Sequence, residues 1–197
     1  MNSLVLALHY QNEVVHPQGR IRLGIAEASP ERAAVIAAAR RLLDGARARG
    51  VPVISVRIAF APDYSDVTTN AEIWCRVVAN KVMAEGSWGA AFYDGLGPLP
   101  GETIVTHARN NAFYASALEA IVQRLAPARL VIAGIATNFV VESTARHASD
   151  VGYDTVIVGD ACSAASPETH HASLASLAML ATIRTADEMI SEWERHA

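Results

Sequence analysis

Two histidines, His9 and His107, and two arginines, Arg57 and Arg109, stand at or just after the ends of short apolar runs. Imidazole titrates near neutrality, so a pair of histidines can divide the roles of general acid and general base. A guanidinium offers a planar fork of donors that fits a carboxylate. The stretch VIAGIATNFVVESTARHA, residues 131–148, reads as a strand, a glycine turn and a helix. Such a helix start presents backbone N–H groups to an anion or oxyanion, here those near Ala136 and Val140. Its centre is Phe139, Val140 and Val141, so hydrocarbon occupies a place suited to a reactive side chain.

The elements that must position these groups follow from patterning. Strands are expected over 3–8, 51–58, the start of 102–111, 129–134 and 153–161. Helices are expected within 24–50, with Ser29 as N-cap and Pro30 as first helical residue, and over 71–84, 112–125, 138–150 and 166–180. Ser166 should cap the last of these, and TADE (185–188) is a capping box opening a final helix. Strands alternating with helices predict a three-layer, Rossmann-like α/β fold, a mainly parallel sheet with helices on both faces. No linker or repeat divides residues 1–197, so one domain is expected. In such sheets ligands bind outside the carboxyl ends of the strands. That is where His9, His107 and Arg109 fall, with Tyr10 beside them.

Composition narrows the function classes. The chain has 197 residues, 51% of them hydrophobic, and a net charge of -4, so nothing attracts nucleic acid or an anionic membrane over long range. No apolar run is long enough to span a bilayer, and Leu4 to Leu8 is too short for a secretory segment, so a cytoplasmic protein is expected. Cys75 and Cys162 are the only cysteines and make no disulfide framework. GxGxxG and GxxxxGK[ST] are both absent, which removes the dinucleotide and P-loop readings. HxH, HxxxH and CxxC are absent too, so neither metal nor cofactor is expected. His170 and His171 are adjacent and should point to different helix faces, and His147 is expected on a solvated face.

Four segments together resemble the isochorismatase-like cysteine hydrolases, whose members include nicotinamidases, N-carbamoylsarcosine amidases and ureidoacrylate-type amidohydrolases. HYQNE (9–13) resembles a motif of the type DMQND. GSWG (86–89), followed by GETIVTHARNNAF (101–113), resembles the segment that carries a lysine before an Ala-Phe pair. GIATNFVVESTARHA resembles GxxTNxCVxxTAxxA, and VGDACSA (158–164) with His170 or His171 resembles the closing motif. The resemblance covers nearly the whole chain and implies the isochorismatase-like fold, with a cis peptide at Ile135-Ala136. It also implies a covalent mechanism in which a cysteine attacks an amide carbonyl while an aspartate and a lysine assist. In this chain the aspartate position is His9, the lysine position is His107, and the cysteine position is Val140. Arg109 is the alternative occupant of the lysine space. Relatives of the nicotinamidase type hold a metal after the second strand. Here that region is RIAFAPDYSD, without histidine, so no such metal is expected.

The expected function is therefore hydrolysis of a small carboxylated metabolite, at an amide C–N or a vinyl-ether bond, without covalent cysteine catalysis. His9 and His107 are the catalytic candidates. Tyr10, Arg57, Trp88, Arg109, Phe113, Ala136 and Val140 are the substrate-binding candidates, with Arg57 and Arg109 as carboxylate clamps. Core packing competes with pocket lining for Trp88 and Phe113. The alternatives are an inactive small-molecule-binding protein on the same scaffold and a non-catalytic partner of an active homologue. The resemblance also implies a homodimer or homotetramer.

Overall fold

Six parallel strands form the centre of the computed structural model, which describes residues 2–21 and 30–195. In chain order they are β1 (Ser3–Leu8), β2 (Val53–Ile58), β3 (Thr103–His107), β4 (Arg129–Gly134), β5 (Asp154–Val158) and β6 (Thr182–Arg184). Their spatial order is β3-β2-β1-β4-β5-β6. β1 and β4 pair through all six residues, from Ser3↔Arg129 to Leu8↔Gly134. Both are apolar nearly throughout because helices cover both faces of the sheet there, and every residue of β1 is buried. Each fully buried leucine or valine contributes about 1.5–3 kcal/mol of transfer free energy, which makes this central pair the main stabilising seam.

The helices are α1 (Asn12–Val15), α2 (Pro30–Ala48), α3 (Glu72–Asn80), α4 (Leu118–Leu125), α5 (Glu142–Asp150), α6 (Pro167–Leu177) and α7 (Ala186–Arg195). α2 buries Ala39, Leu42, Leu43 and Ala46 completely and packs along α7. The expected caps are present. Ser166 Oγ accepts from the Thr169 N–H at 3.2 Å, and Thr185 and Glu188 exchange side-chain and backbone bonds in a reciprocal box. Ser29 lies outside the described residues.

Two expectations are corrected, and one strand is added. Residues 112–117 are not helical, and α4 begins only at Leu118. Asn111 Oδ1 accepts from the Phe113 N–H, Ser116 Oγ donates to the Ala112 carbonyl and accepts from the Leu118 N–H, and Ala115 has φ +50°. These local side-chain bonds compete with the helical ladder. The helix expected from 138 begins with a π-type turn at Thr137–Val141 before α5. Finally, β6 is a three-residue edge strand, too short to carry a period-2 signal.

The chain leaves β1 toward β2 on one side, while β4 lies on the other. The strand order therefore reverses between the carboxyl ends of β1 and β4, the usual place for a ligand crevice. The two ends approach closely at Gly134, where a Cβ would stand 2.2 Å from the Leu8 carbonyl oxygen. Glycine is required there to let the turn begin.

Candidate active site

His9 is the first residue beyond β1. Its N–H donates to the Val56 carbonyl at 2.9 Å, and its backbone takes the left-handed conformation, φ +56°. That turn reverses the chain and sends the His9 side chain across the strand ends. His107 closes β3 in register with Ile58, and its carbonyl accepts from the Ala59 N–H. The two imidazoles thus come from strands separated by β2, and they meet. Nε2 of His9 lies 2.5 Å from Nε2 of His107, with ring centroids 4.8 Å apart and ring planes inclined by 38°. Ninety-eight residues of sequence separate them.

Both rings are buried, at 7% and 4% exposure. Burial disfavours the imidazolium form, so both histidines hold protons less readily than usual. His107 is brought from 6.5 down to about 4 by desolvation, opposed by the neighbouring Asn111 backbone. His9 lies well below its ordinary value through desolvation and, secondarily, repulsion from His107. At neutral pH the pair is uncharged, and the close contact requires one Nε2 to donate and the other to accept. The Asn111 backbone favours a proton on His107, although Nδ1 of His107 has no acceptor within full hydrogen-bonding geometry. With a proton on that Nδ1, its Nε2 accepts and His9 Nε2–H donates, and the opposite tautomer reverses the roles. In the first case the lone pair of His9 resides on Nδ1, for which no hydrogen-bond partner exists among the described residues.

The turn after β4 lies beside the end of β1. Ile135 N–H donates to the Leu8 carbonyl, the Ile135–Ala136 peptide is cis, and Val140 is 1% exposed within the π-type turn. The N–H groups of Phe139 and Val141 both donate to the Ala136 carbonyl, and Thr137 N–H donates to Ser163. His170 Nδ1 bonds Thr137 Oγ1 at 2.8 Å and braces the turn from α6, whereas His171 is exposed.

The remaining candidates are distributed unevenly. Tyr10 is 1% exposed, and its hydroxyl donates to the Ala161 carbonyl at 2.6 Å, tying the end of β1 to the segment after β5. Arg57 forms a bidentate pair with Glu85, both contacts 2.9 Å, and donates to Thr106 Oγ1. Its fork is therefore occupied within the protein. Trp88 is 49% exposed and meets His16 edge-on at 5.1 Å. Phe113 is buried and stacks on His147 at 4.7 Å and 17°. That contact overturns the solvated placement of His147, whose Nε2 is buried. Arg109 lies over the Trp74 ring at 5.2 Å.

Two positioning residues went unassigned in the sequence reading although they lie inside the HYQNE motif. Gln11 is fully buried. Its amide donates to the Ile58 and Ala90 carbonyls at 2.8 Å each, and its oxygen accepts from the Ile58 N–H at 2.9 Å. It fastens β2 and the 84–92 segment to the chain just beyond His9. Glu13 is 3% exposed and accepts from the Arg20 N–H and Nε. Its carboxylate sits against Gly89, where a Cβ would be 2.1 Å from Oε2. Only their polar type in an apolar setting signalled these roles. In the segment after β2, Asp66 accepts from the Ala61 N–H and Asp63 from Ser65, so these acids shape the loop. Among the described residues no three His, Cys, Asp or Glu side chains group as a metal site.

Known proteins resemble this chain in sequence and in fold. The Isochorismatase domain family matches residues 3–188. Ureidoacrylate amidohydrolase RutB of Methylobacterium radiotolerans is 30% identical over 191 residues, covering 89% of this chain and 72% of that protein. The isochorismatase family protein YecD of Escherichia coli O157:H7 is 33% identical over 158 residues, covering 80% of this chain and 82% of its own. Among solved structures, a cysteine hydrolase from Pseudomonas syringae pv. phaseolicola superposes with a TM-score of 0.87 at 21% identity, over 100% of this chain and 94% of that one. N-carbamoylsarcosine amidase from Thermoplasma acidophilum superposes with a TM-score of 0.74 at 24% identity, over 95% and 98%. Those two likenesses speak to the fold, and the sequence matches speak to descent: this chain belongs to the isochorismatase family.

Proposed function

We propose that this protein hydrolyses an amide C–N bond of a small carboxylated metabolite of the ureido or acylamino class, with water in place of a cysteine nucleophile. The observation that carries this reading is the direct contact of His9 and His107 beyond the carboxyl ends of β1 and β3. The resemblance to ureidoacrylate amidohydrolases favours the amide over the vinyl ether.

In this mechanism His9 Nδ1 takes a proton from water while His107 holds the His9 ring and its tautomer. The water oxygen attacks the amide carbon, and the oxyanion is received by the N–H groups of Ala136 and Val140. The C–N bond then breaks, the proton on His9 passes to the leaving nitrogen, and acid and amine depart. A buried neutral imidazole is in its proton-accepting form at physiological pH, and the same burial weakens it as a base.

Purified protein is assayed against ureidoacrylate-like amides, N-carbamoyl amino acids, nicotinamide and isochorismate, beside the His9→Ala/His107→Ala double variant. The expected result is turnover of a ureido or carbamoyl acid that falls at least about 100-fold in the variant. Equal turnover in both proteins would refute the histidine mechanism. A specific observation also favours a second reading, a binding protein on the same scaffold: both imidazoles are almost wholly enclosed. Saturable ligand binding without turnover selects it.

A further inference from the structure

Arg109 stands two residues beyond His107, within about 7 Å of extended chain from the histidine pair. Its guanidinium carbon lies over the Trp74 ring in a cation–π contact, 5.2 Å from the ring centroid. Trp74 is 5% exposed and is wedged edge-on against Phe60 at 6.2 Å, so the indole is a fixed platform. Nη1 of Arg109 donates to the Thr68 carbonyl and to Asn70 Oδ1, each at 3.3 Å. These contacts hold the guanidinium at one face and one corner.

Among the described residues the opposite edge, Nε–H with Nη2–H, has no partner, and no carboxylate pairs with Arg109. That edge is the one whose two parallel N–H bonds match a carboxylate. Arg57 shows the contrast, because its fork is already closed by Glu85. Of the two arginines at these strand ends, one is saturated. The other is immobilised, partly buried and open on its bidentate side.

We propose that Arg109, braced on Trp74, is the specificity-determining residue of the site and binds the carboxylate of a small ureido or acylamino acid through its Nε–Nη2 edge. Its place two residues beyond His107 makes a small acid the ligand expected of both groups together. The residues of the 68–74 segment thereby select the substrate through the arginine they hold. The location of the reacting carbon rests on the hydrolase reading, and the binding of the acid does not.

The test measures calorimetric binding of 3-ureidopropionate and of its neutral carboxamide to wild type, Arg109→Gln and Arg109→Lys, with hydrolysis followed in parallel. Wild type is expected to bind the acid about 10- to 100-fold more tightly than the carboxamide. Arg109→Gln should abolish that preference without changing the carboxamide's affinity. Arg109→Lys, which keeps the charge but loses the fork, should retain only part of it. Equal binding of acid and carboxamide by wild type, no binding of either, or an undiminished preference in Arg109→Gln overturns the proposal. Should Arg109→Gln not fold, an undiminished preference in Arg109→Lys overturns it equally. Acid preference without hydrolysis refutes the hydrolase reading and leaves Arg109 standing. Hydrolysis without acid preference does the reverse.

Discussion

Lowering the pH from 7 to 5 tests the enclosure of the two imidazoles directly. In the unfolded chain His107 titrates near 6.5, and in the folded protein burial brings it to about 4. Between those values the unfolded state binds more protons, so stability falls as the pH drops through this window and is fully present above it. At pH 5 the unfolded His107 is almost wholly protonated and the folded one is largely neutral. With those two values linkage gives a loss of about 2 kcal/mol from this residue alone. His9 is displaced in the same direction and adds to it. The perturbation is His107→Gln, which removes the titration and keeps a hydrogen-bonding side chain. Urea unfolding at pH 7, 6 and 5 should show wild type losing about 2 kcal/mol more than the variant, a midpoint difference of about 1 M. Parallel pH profiles for the two proteins would refute the reasoning, because they would mean that His107 takes up its proton as readily folded as unfolded.

Other outcomes follow from the same geometry. Gln11→Met leaves the Ile58 N–H, the Ile58 carbonyl and the Ala90 carbonyl unpaired in a buried setting. At about 1–3 kcal/mol for each stranded group it should cost several kcal/mol, read as a lowered urea midpoint at neutral pH. The thiols should differ sharply toward a disulfide reagent. Exposed Cys75 reacts in the native protein, whereas Cys162 is buried, with its thiol pushed up to about 12 chiefly by desolvation. The native protein should titrate one thiol at pH 8 and the denatured protein two. Two fast thiols in the native state would contradict the buried placement of Cys162.

Much of the architecture was legible because its causes are local or periodic. The apolar runs of β1 and β4 mark strands enclosed on both sides, and the Ser166 and TADE caps act within a few residues of themselves. The rule that ligands gather at the carboxyl ends of parallel strands singles out His9, His107 and Arg109 from their places after apolar runs. Where local chemistry competed with periodicity, the reading failed. Asn111 and Ser116 bind the backbone around 112–118 and delay α4, although the apolar spacing there is helical.

What lay beyond the sequence was which side chains meet. Whether His9 touches His107 depends on the width of β2 between them and on the left-handed turn at His9, and no spacing rule encodes either. Arg57 and Arg109 were equivalent as residue types. The fold gave one a bidentate carboxylate from Glu85 and the other an indole platform, with its Nε–Nη2 edge unpaired among the described residues. His147, on a helix whose apolar stripe placed it outward, was covered by Phe113 arriving from the irregular segment before α4. Patterning along a chain reports how each segment meets water. Contacts between segments depend on sheet order and loop path, which only the packed structure decides.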